Sequence, residues 1–523
     1  MHARFPTLAP AALLAALLTA CGGGGGSSGG IVFPPLPQPP DEGRGSLVTN
    51  PPERTTRFSA SQFDAMLQAD AQGRALLQLA GTPKCGIDLR TMKYRTIGGQ
   101  GEATDATAAL MVPSGSDAAC SGARPIVLYA HGTTAARDYD LARFTETGQP
   151  AAGEGLMVAA MFAAQGYTVL APNYAGYAGS ALPYHPYLNG EQQGKDMVDA
   201  LTAARKALPL EGVRDGGALL VTGYSQGGYV AMAAHRELQA LGQPVTASAP
   251  LSAPTAISLL TDYNFLGWPA LGSTLFVPLL STSWQKQFGD VYTATGDLYE
   301  ARYANGIDTL LPSLTPLSEL FAQGKLPQTA LYPANAVPGP VDPALSIFYG
   351  RDNLVRQSYL TQANNDILAH PCPGNALPAS AASLNTSAPL DCRPALGLRK
   401  AAVANDLRRW VPQRPVLMCG GAGDPTVNFL STLATAGYFR ASGMPSERLA
   451  VLDLEEGSGG AGDPYAAARA GFAAAKADLA ASTPGSEEDK ARAVTLAYHG
   501  ALVPPFCLAS ARGFFAGVLA AGG

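Results

Sequence analysis

The stretch Val221-Thr222-Gly223-Tyr224-Ser225-Gln226-Gly227-Gly228 limits what this chain can fold into more than any other. An apolar run, Gly217 to Val221, leads into Gly-x-Ser-x-Gly, and Tyr229 to Leu241, rich in Ala, Met and Leu, reads as a helix. Strand, sharp turn and helix in that order lift a serine out of the backbone at a strained turn, and leave no room for side chains at positions 223 and 227. The first free N–H groups of the helix would then point at whatever Ser225 meets. A glycine-rich turn gives the same five letters, so the reading depends on what else the chain supplies.

The surrounding pattern fits a strand-turn-helix unit inside a larger sheet. Ser61 to Ala80 has helical spacing, with Gly81 as a stop, and Ile87–Ile97 and Thr107–Val112 read as an antiparallel pair of strands. Apolar runs of the buried, parallel kind then alternate with helical stretches: Pro125–Ala130, Tyr167–Ala171, Ala218–Val221, Val245–Ala249, Pro415–Met418 and Leu449–Leu454. Gly153–Gln165 and Gln193–Leu208 are the helices between them. This alternation predicts an α/β fold with a doubly wound, mostly parallel sheet, whose ligands sit at the carboxyl ends of the strands. Residues 256–410 break the rhythm and predict a large, mainly helical insertion after the sixth strand. Within it Tyr263 to Trp284 is uncharged, but Pro269, Pro278, Gly267 and Gly272 interrupt it, which favours a cap over a site mouth against a membrane span.

With 523 residues, 14% charged, and a formal charge of −5, the chain offers no basic surface for nucleic acid. At the N-terminus, His2 and Arg4 precede the apolar segment Leu8 to Ala20, and Leu18-Thr19-Ala20 leads to Cys21. This is the form of a signal peptide over residues 1–20, and the cysteine resembles the lipobox of bacterial lipoproteins. The resemblance implies that Cys21 is the lipidated first residue of an exported outer-membrane or cell-surface protein; a plain cleaved signal would instead give a secreted one. Residues 21–52, with five successive glycines and then prolines, read as a tether that keeps a folded domain away from the lipid. Six cysteines remain, Cys85, Cys120, Cys372, Cys392, Cys419 and Cys507. An even number in an exported chain predicts disulfides. Proximity favours Cys85 with Cys120 and Cys372 with Cys392, leaving Cys419 with Cys507.

Three further stretches accompany the serine turn. Tyr129-Ala130-His131-Gly132-Thr133-Thr134 ends an early strand, Cys419-Gly420-Gly421-Ala422-Gly423-Asp424-Pro425-Thr426-Val427 ends a late one, and Tyr498-His499-Gly500 precedes a final apolar helix. Taken with these motifs, and with Pro172-Asn173-Tyr174-Ala175-Gly176 and His185-Pro186-Tyr187, the chain resembles the α/β-hydrolase superfamily, and within it the secreted lipases and esterases. The resemblance begins at about Arg95 and runs to the C-terminus. It implies a catalytic domain from residues 53–255 and 411–523, capped by 256–410. It further implies a catalytic triad of Ser225, Asp424 and His499, with an oxyanion hole from the N–H groups of Thr133 and Gln226. The spacing from Asp424 to His499 is long, because an Ala-rich helix around Ala466–Ala481 is inserted; Asp453, Glu455 and Glu456 are the competing carboxylates.

His131 reads as a loop-holding residue, His185 as a pocket or packing residue, His235 as structural, and His370, in Pro-rich sequence beside Cys372, as a loop residue. Neither a cofactor nor a metal is expected, since no His, Cys and carboxylate cluster has zinc spacing. The activity implied is acyl transfer to water from an uncharged small-molecule or polymeric ester. Two alternatives stand beside it: a serine peptidase on the same scaffold, and a surface lipoprotein that only binds. Oligomeric state is left open.

Overall fold

The computed structural model describes residues 43–376, 378, 383–457 and 462–522. Nine strands form one sheet among them: β1 (Glu53–Phe58), β2 (Gly86–Ile97), β3 (Ala103–Ser114), β4 (Ala123–Ala130), β5 (Thr168–Pro172), β6 (Arg214–Tyr224), β7 (Ala247–Leu251), β8 (Val416–Gly420) and β9 (Leu449–Asp453). Their spatial order is β1-β2-β3-β5-β4-β6-β7-β8-β9. The first three and the β3–β5 junction are antiparallel. From β5 to β9 every pairing is parallel. β5, β7 and β8 are buried along their whole length, which is why each is a continuous apolar or small-residue run rather than an alternating one.

Helices flank this sheet and close its core. Gly190–Ala207 and Gln226–Ala240 pack on each other and over the central strands, and Val503–Ala520 packs against β6, β7 and β8. The register aligns the carboxyl ends of the central strands: Ala130 lies beside Gly223, and Leu251 beside both Tyr224 and Cys419. Whatever follows those four strand ends is therefore brought to one edge of the sheet. Between β7 and β8 the regular elements are mainly helices joined by long loops, the longest helices being Ser273–Phe288 and Gln357–Ala369. Trp284, at the end of the expected cap run, is fully buried.

Four expectations change in detail. The helix expected over Ser61–Ala80 is two helices, Ala60–Gln68 and Ala71–Ala80, because the Asp70 side chain accepts the Gly73 N–H and caps a new start. β1 has no counterpart in the sequence reading, since its charged Glu-Arg-Thr-Thr-Arg-Phe pattern belongs to a sheet edge rather than a core. The helical insertion therefore follows the seventh strand rather than the sixth. Gly43 to Asn50, expected in the tether, instead lies along β2: the Gly45 and Val48 N–H groups donate to the Arg95 and Lys93 carbonyls. The expected signal peptide, Cys21 and the start of the tether lie outside the described residues.

All three expected cysteine pairs are disulfide-bonded: Cys85–Cys120, Cys372–Cys392 and Cys419–Cys507. The last ties the end of β8 to the C-terminal helix.

Candidate active site

Ser225 follows the last residue of β6 with φ 59° and ψ −122°, a region that residues with side chains rarely occupy. Its neighbours make that turn sterically accessible. A Cβ at Gly223 or at Gly227 would collide with the Ala130 carbonyl oxygen of the adjacent strand, so only glycine lets the turn sit this close to β4. The Ser225 N–H donates to the Leu251 carbonyl at 2.9 Å, which locks the turn to β7.

His499 and Asp424 meet this serine from two other elements. His499 Nε2 lies 2.8 Å from Ser225 Oγ, and His499 Nδ1 lies 2.7 Å from Asp424 Oδ2. A buried carboxylate accepts and does not donate, so the proton sits on Nδ1 and the Nε2 lone pair faces the serine hydroxyl. His499 occupies a π-helical turn, Tyr498–Leu502, between helices Glu487–Ala497 and Val503–Ala520. The wider turn interrupts the regular ladder where the ring must project. Tyr224 OH donates to the His499 carbonyl at 2.6 Å, holding that turn against the serine strand.

Asp424 is saturated with donors. Oδ2 accepts from His499 and from Ser252 Oγ at 2.7 Å, while Oδ1 accepts the Thr426 and Val427 N–H groups at 2.9 and 3.0 Å. Burial works to raise its pKa, but the attraction of His499 and these hydrogen bonds outweigh it and hold the carboxyl below its ordinary range. The competing carboxylates are engaged elsewhere. Asp453 accepts the Ala422 and Glu455 N–H groups, Glu455 accepts from Tyr498 OH and Lys476, and Glu456 pairs with Arg469.

Thr133 lies in the loop after β4, and Gln226 is the first residue of the helix that follows Ser225. Among the described residues no protein acceptor meets either backbone N–H. The neighbouring Gly132 N–H, in contrast, donates to Glu154 Oε1 at 3.0 Å. A cavity holding about 890 Å³ of empty space, part of it open to solvent, begins at Ser225 and Gln226 and runs into the insertion. Ile257, Leu260, Phe265, Phe276, Val277, Leu280 and Trp284 form its apolar walls, and among the described residues no charged one lines it.

No curated protein sequence matches the chain. The model of the prolyl oligopeptidase family matches residues 157–270. Among solved structures, the rice cell wall degrading esterase LipA from Xanthomonas oryzae is 25% identical, with a TM-score of 0.61, over 82% of this chain and 95% of that one. A Legionella pneumophila protein put forward as a hydrolase is 17% identical, with a TM-score of 0.60, over 90% of this chain and 98% of that one. The chain has the α/β-hydrolase fold.

Among the described residues, the other histidines of this α/β-hydrolase fold are buried or peripheral. His131 is stacked between Tyr139 and Tyr174, with Nδ1 2.7 Å from the Gly132 carbonyl and Nε2 3.2 Å from that of Asn173, so it ties the loop after β4 to the loop after β5. Burial pushes its pKa down against the pull of Glu154 and both carbonyls. Burial likewise takes His185 down to about 3 and His235 to about 4, which keeps both neutral. His235 bonds Ser248 Oγ within the core, and His370 ends the helix Gln357–Ala369 far along the insertion.

Several residues at the hydrolase site were not singled out in the sequence. Ser252 carries φ 43° at the end of β7, an unusual conformation that aims its hydroxyl at Asp424. Glu154 gathers the Gly132 N–H, Tyr129 OH and Tyr139 OH beneath the loop after β4. The sequence signal available for Ser252 was its place directly after an apolar strand, which many serines share.

Proposed function

We propose that this hydrolase cleaves uncharged carboxylic esters through an acyl-enzyme on Ser225. His499 takes the proton from Ser225 Oγ as that oxygen attacks the ester carbonyl, and returns it to the leaving alcohol. Asp424 keeps the imidazole in the tautomer with Nδ1–H and stabilises the imidazolium while it exists. Water, deprotonated by the same nitrogen, then attacks the acyl-enzyme and frees Ser225 with release of the acid. The tetrahedral oxyanion is held by the N–H groups of Thr133 and Gln226; removing one such donor typically costs on the order of a hundred- to a thousandfold in rate.

The observation that carries the reading is the unbroken chain Asp424–His499–Ser225, with hydrogen-bond distances of 2.7 and 2.8 Å, opening onto a cavity without charge. An uncharged apolar wall favours acyl or aromatic groups, because a charged substrate would be desolvated there without a partner. The similarity to an esterase supports the same class. Peptide hydrolysis is the second reading, favoured by the match to the prolyl oligopeptidase family over residues 157–270. A peptidase that reads a free amino terminus needs a carboxylate in its pocket, and among the described residues no acidic one lines this pocket.

In this reading residues 256–410 form the cap over a catalytic domain that runs through residues 53–255 and 411–523. Its three disulfides fit an oxidising compartment outside the cytosol, with Cys21 as a lipid anchor.

The test is labelling of the purified full chain with a fluorophosphonate, beside turnover of p-nitrophenyl esters of graded acyl length and of peptide p-nitroanilides. Labelling and ester turnover that both vanish in Ser225→Ala are expected. No labelling of the folded wild-type protein would sink the mechanism, and turnover of the anilides alone would transfer the site to peptides. Fatty-acid incorporation in the producing cells, lost in Cys21→Ser, tests the anchor in the same preparation.

A further inference from the structure

His185 and Tyr187 lie two positions apart in the segment that joins β5 to the helix Gly190–Ala207, and each reaches one of the two residues assigned above to the oxyanion hole. The Tyr187 and Thr133 hydroxyls are hydrogen-bonded at 2.8 Å. The Gln226 side-chain amide nitrogen lies 2.7 Å from His185 Nε2. The direction of the second bond follows from the far side of the ring. His185 Nδ1 faces the Ala175 carbonyl at 2.9 Å, so Nδ1 carries the proton, and the Nε2 lone pair accepts the Gln226 N–H.

The segment itself is held in place from both ends. Leu188, with φ 48°, presents its carbonyl to two donors at 3.2 Å: Trp284 Nε1 from the insertion, and Tyr229 OH from the helix that begins at Gln226. Asn189 caps the next helix by accepting the Gln192 N–H. On the other side the His185 ring packs against Tyr177 at 4.5 Å, and Tyr177 OH donates to the Thr134 carbonyl in the loop that carries Thr133. His185 and Tyr187 are 2% and 3% exposed; the His185–Gln226 bond is buried, and the Tyr187–Thr133 bond lies at the half-buried edge of the site.

We propose that His185 and Tyr187 are positioning residues for the oxyanion hole: Tyr187 sets the Thr133 loop through its hydroxyl, and His185 sets Gln226 through its amide. The inference rests on the proposed acyl-transfer reading. Neither side chain is asked to touch the oxyanion. Each fixes the residue whose backbone N–H does, and a donor displaced by a fraction of an ångström loses its advantage in the transition state more than in the ground state. Because Leu188 and Trp284 also line the cavity, the segment that orients both donors is part of the wall that substrate meets.

Tyr187→Phe keeps the ring and removes one hydroxyl. It is expected to lower kcat about tenfold, with KM unchanged, and to weaken binding of a trifluoromethyl ketone, which forms an oxyanion on Ser225, by a similar factor. In a Thr133→Val background the same substitution is expected to change nothing further, because its partner is already gone. His185→Leu is expected to lower kcat in the same manner, and His185→Gln, whose carbonyl oxygen can accept the Gln226 amide, to recover part of the loss. Thermal melting of each variant separates misfolding from mispositioning. Unchanged kcat in folded Tyr187→Phe and His185→Leu would overturn the inference, as would a loss in Tyr187→Phe that persists in full beside Thr133→Val. Failure of the reading beneath it is seen separately, as Ser225→Ala with wild-type turnover.

Discussion

Ser252 illustrates how much of this site depends on single atoms. Its hydroxyl and the His499 ring share one oxygen of Asp424, and its N–H is tied to the Cys419 carbonyl at 2.6 Å, so backbone and side chain are both engaged. Ser252→Ala removes the side-chain bond and leaves the backbone one. A lost hydrogen bond to a charged group is worth roughly 1.5–3 kcal/mol, and the Asp424 carboxylate keeps its other three donors. The expected result is a fall in kcat of about tenfold with KM unchanged, since the change acts on the imidazolium that exists only during turnover. An unchanged kcat in folded Ser252→Ala would show that Asp424 needs only the remaining three. Nothing in the sequence marks this serine, because it reaches Asp424 across 172 positions.

Among the elements, the strand–turn–helix that carries Ser225 is the most legible and β1 the least. That turn obeys a local steric rule: a strained serine, a glycine two places before it and another two places after, then a helix, all within one short stretch. β1 follows no apolar period, and becomes a strand because β2 offers it a free edge. The Cys419–Cys507 disulfide connects two elements that each carry part of the site. Cys419 lies five residues before Asp424, and Cys507 eight residues after His499. The bond closes a separation of 88 residues, so chain-entropy reasoning assigns it about 4–5 kcal/mol. Cys419→Ala with Cys507→Ala is expected to lower the urea midpoint correspondingly, and to lower activity in urea before the rest of the sheet unfolds. A midpoint within error of the wild type would show that packing of the C-terminal helix alone holds this junction.

At the scale of the whole molecule, buried ionisable groups link stability to pH with opposing signs. His235 is neutral in the folded state, with a pKa of about 4 against an ordinary value of 6.5. Between those values the unfolded chain binds a proton that the folded protein refuses, so this contribution is complete above about 6.5 and declines as pH falls toward 4. Asp199, raised to about 6 by burial, acts in the other direction over part of the same range. The overall profile mixes the two, and a difference isolates one of them. His235→Asn removes the titrating ring, so the gap in unfolding free energy between wild type and variant is expected to narrow by about 2 kcal/mol between about pH 7.5 and about pH 5. A gap that stays constant would mean that His235 titrates alike in both states.

The α/β architecture, the positions of its buried strands along the chain, the cysteine pairs and the meeting of Ser225, Asp424 and His499 were all expected from the chain alone. They were readable because backbone sterics and hydrophobic period are local properties, and because motif order survives an inserted helix of any length. The tertiary structure decided what has no local signature: the break at Asp70, the packing of Gly43 to Asn50 along β2, the uncharged cavity, and the bonds from Ser252, His185 and Tyr187. Those bonds join residues 41 to 172 positions apart, and a hydrogen-bond partner at that range is chosen by how the elements pack, not by the residues beside it.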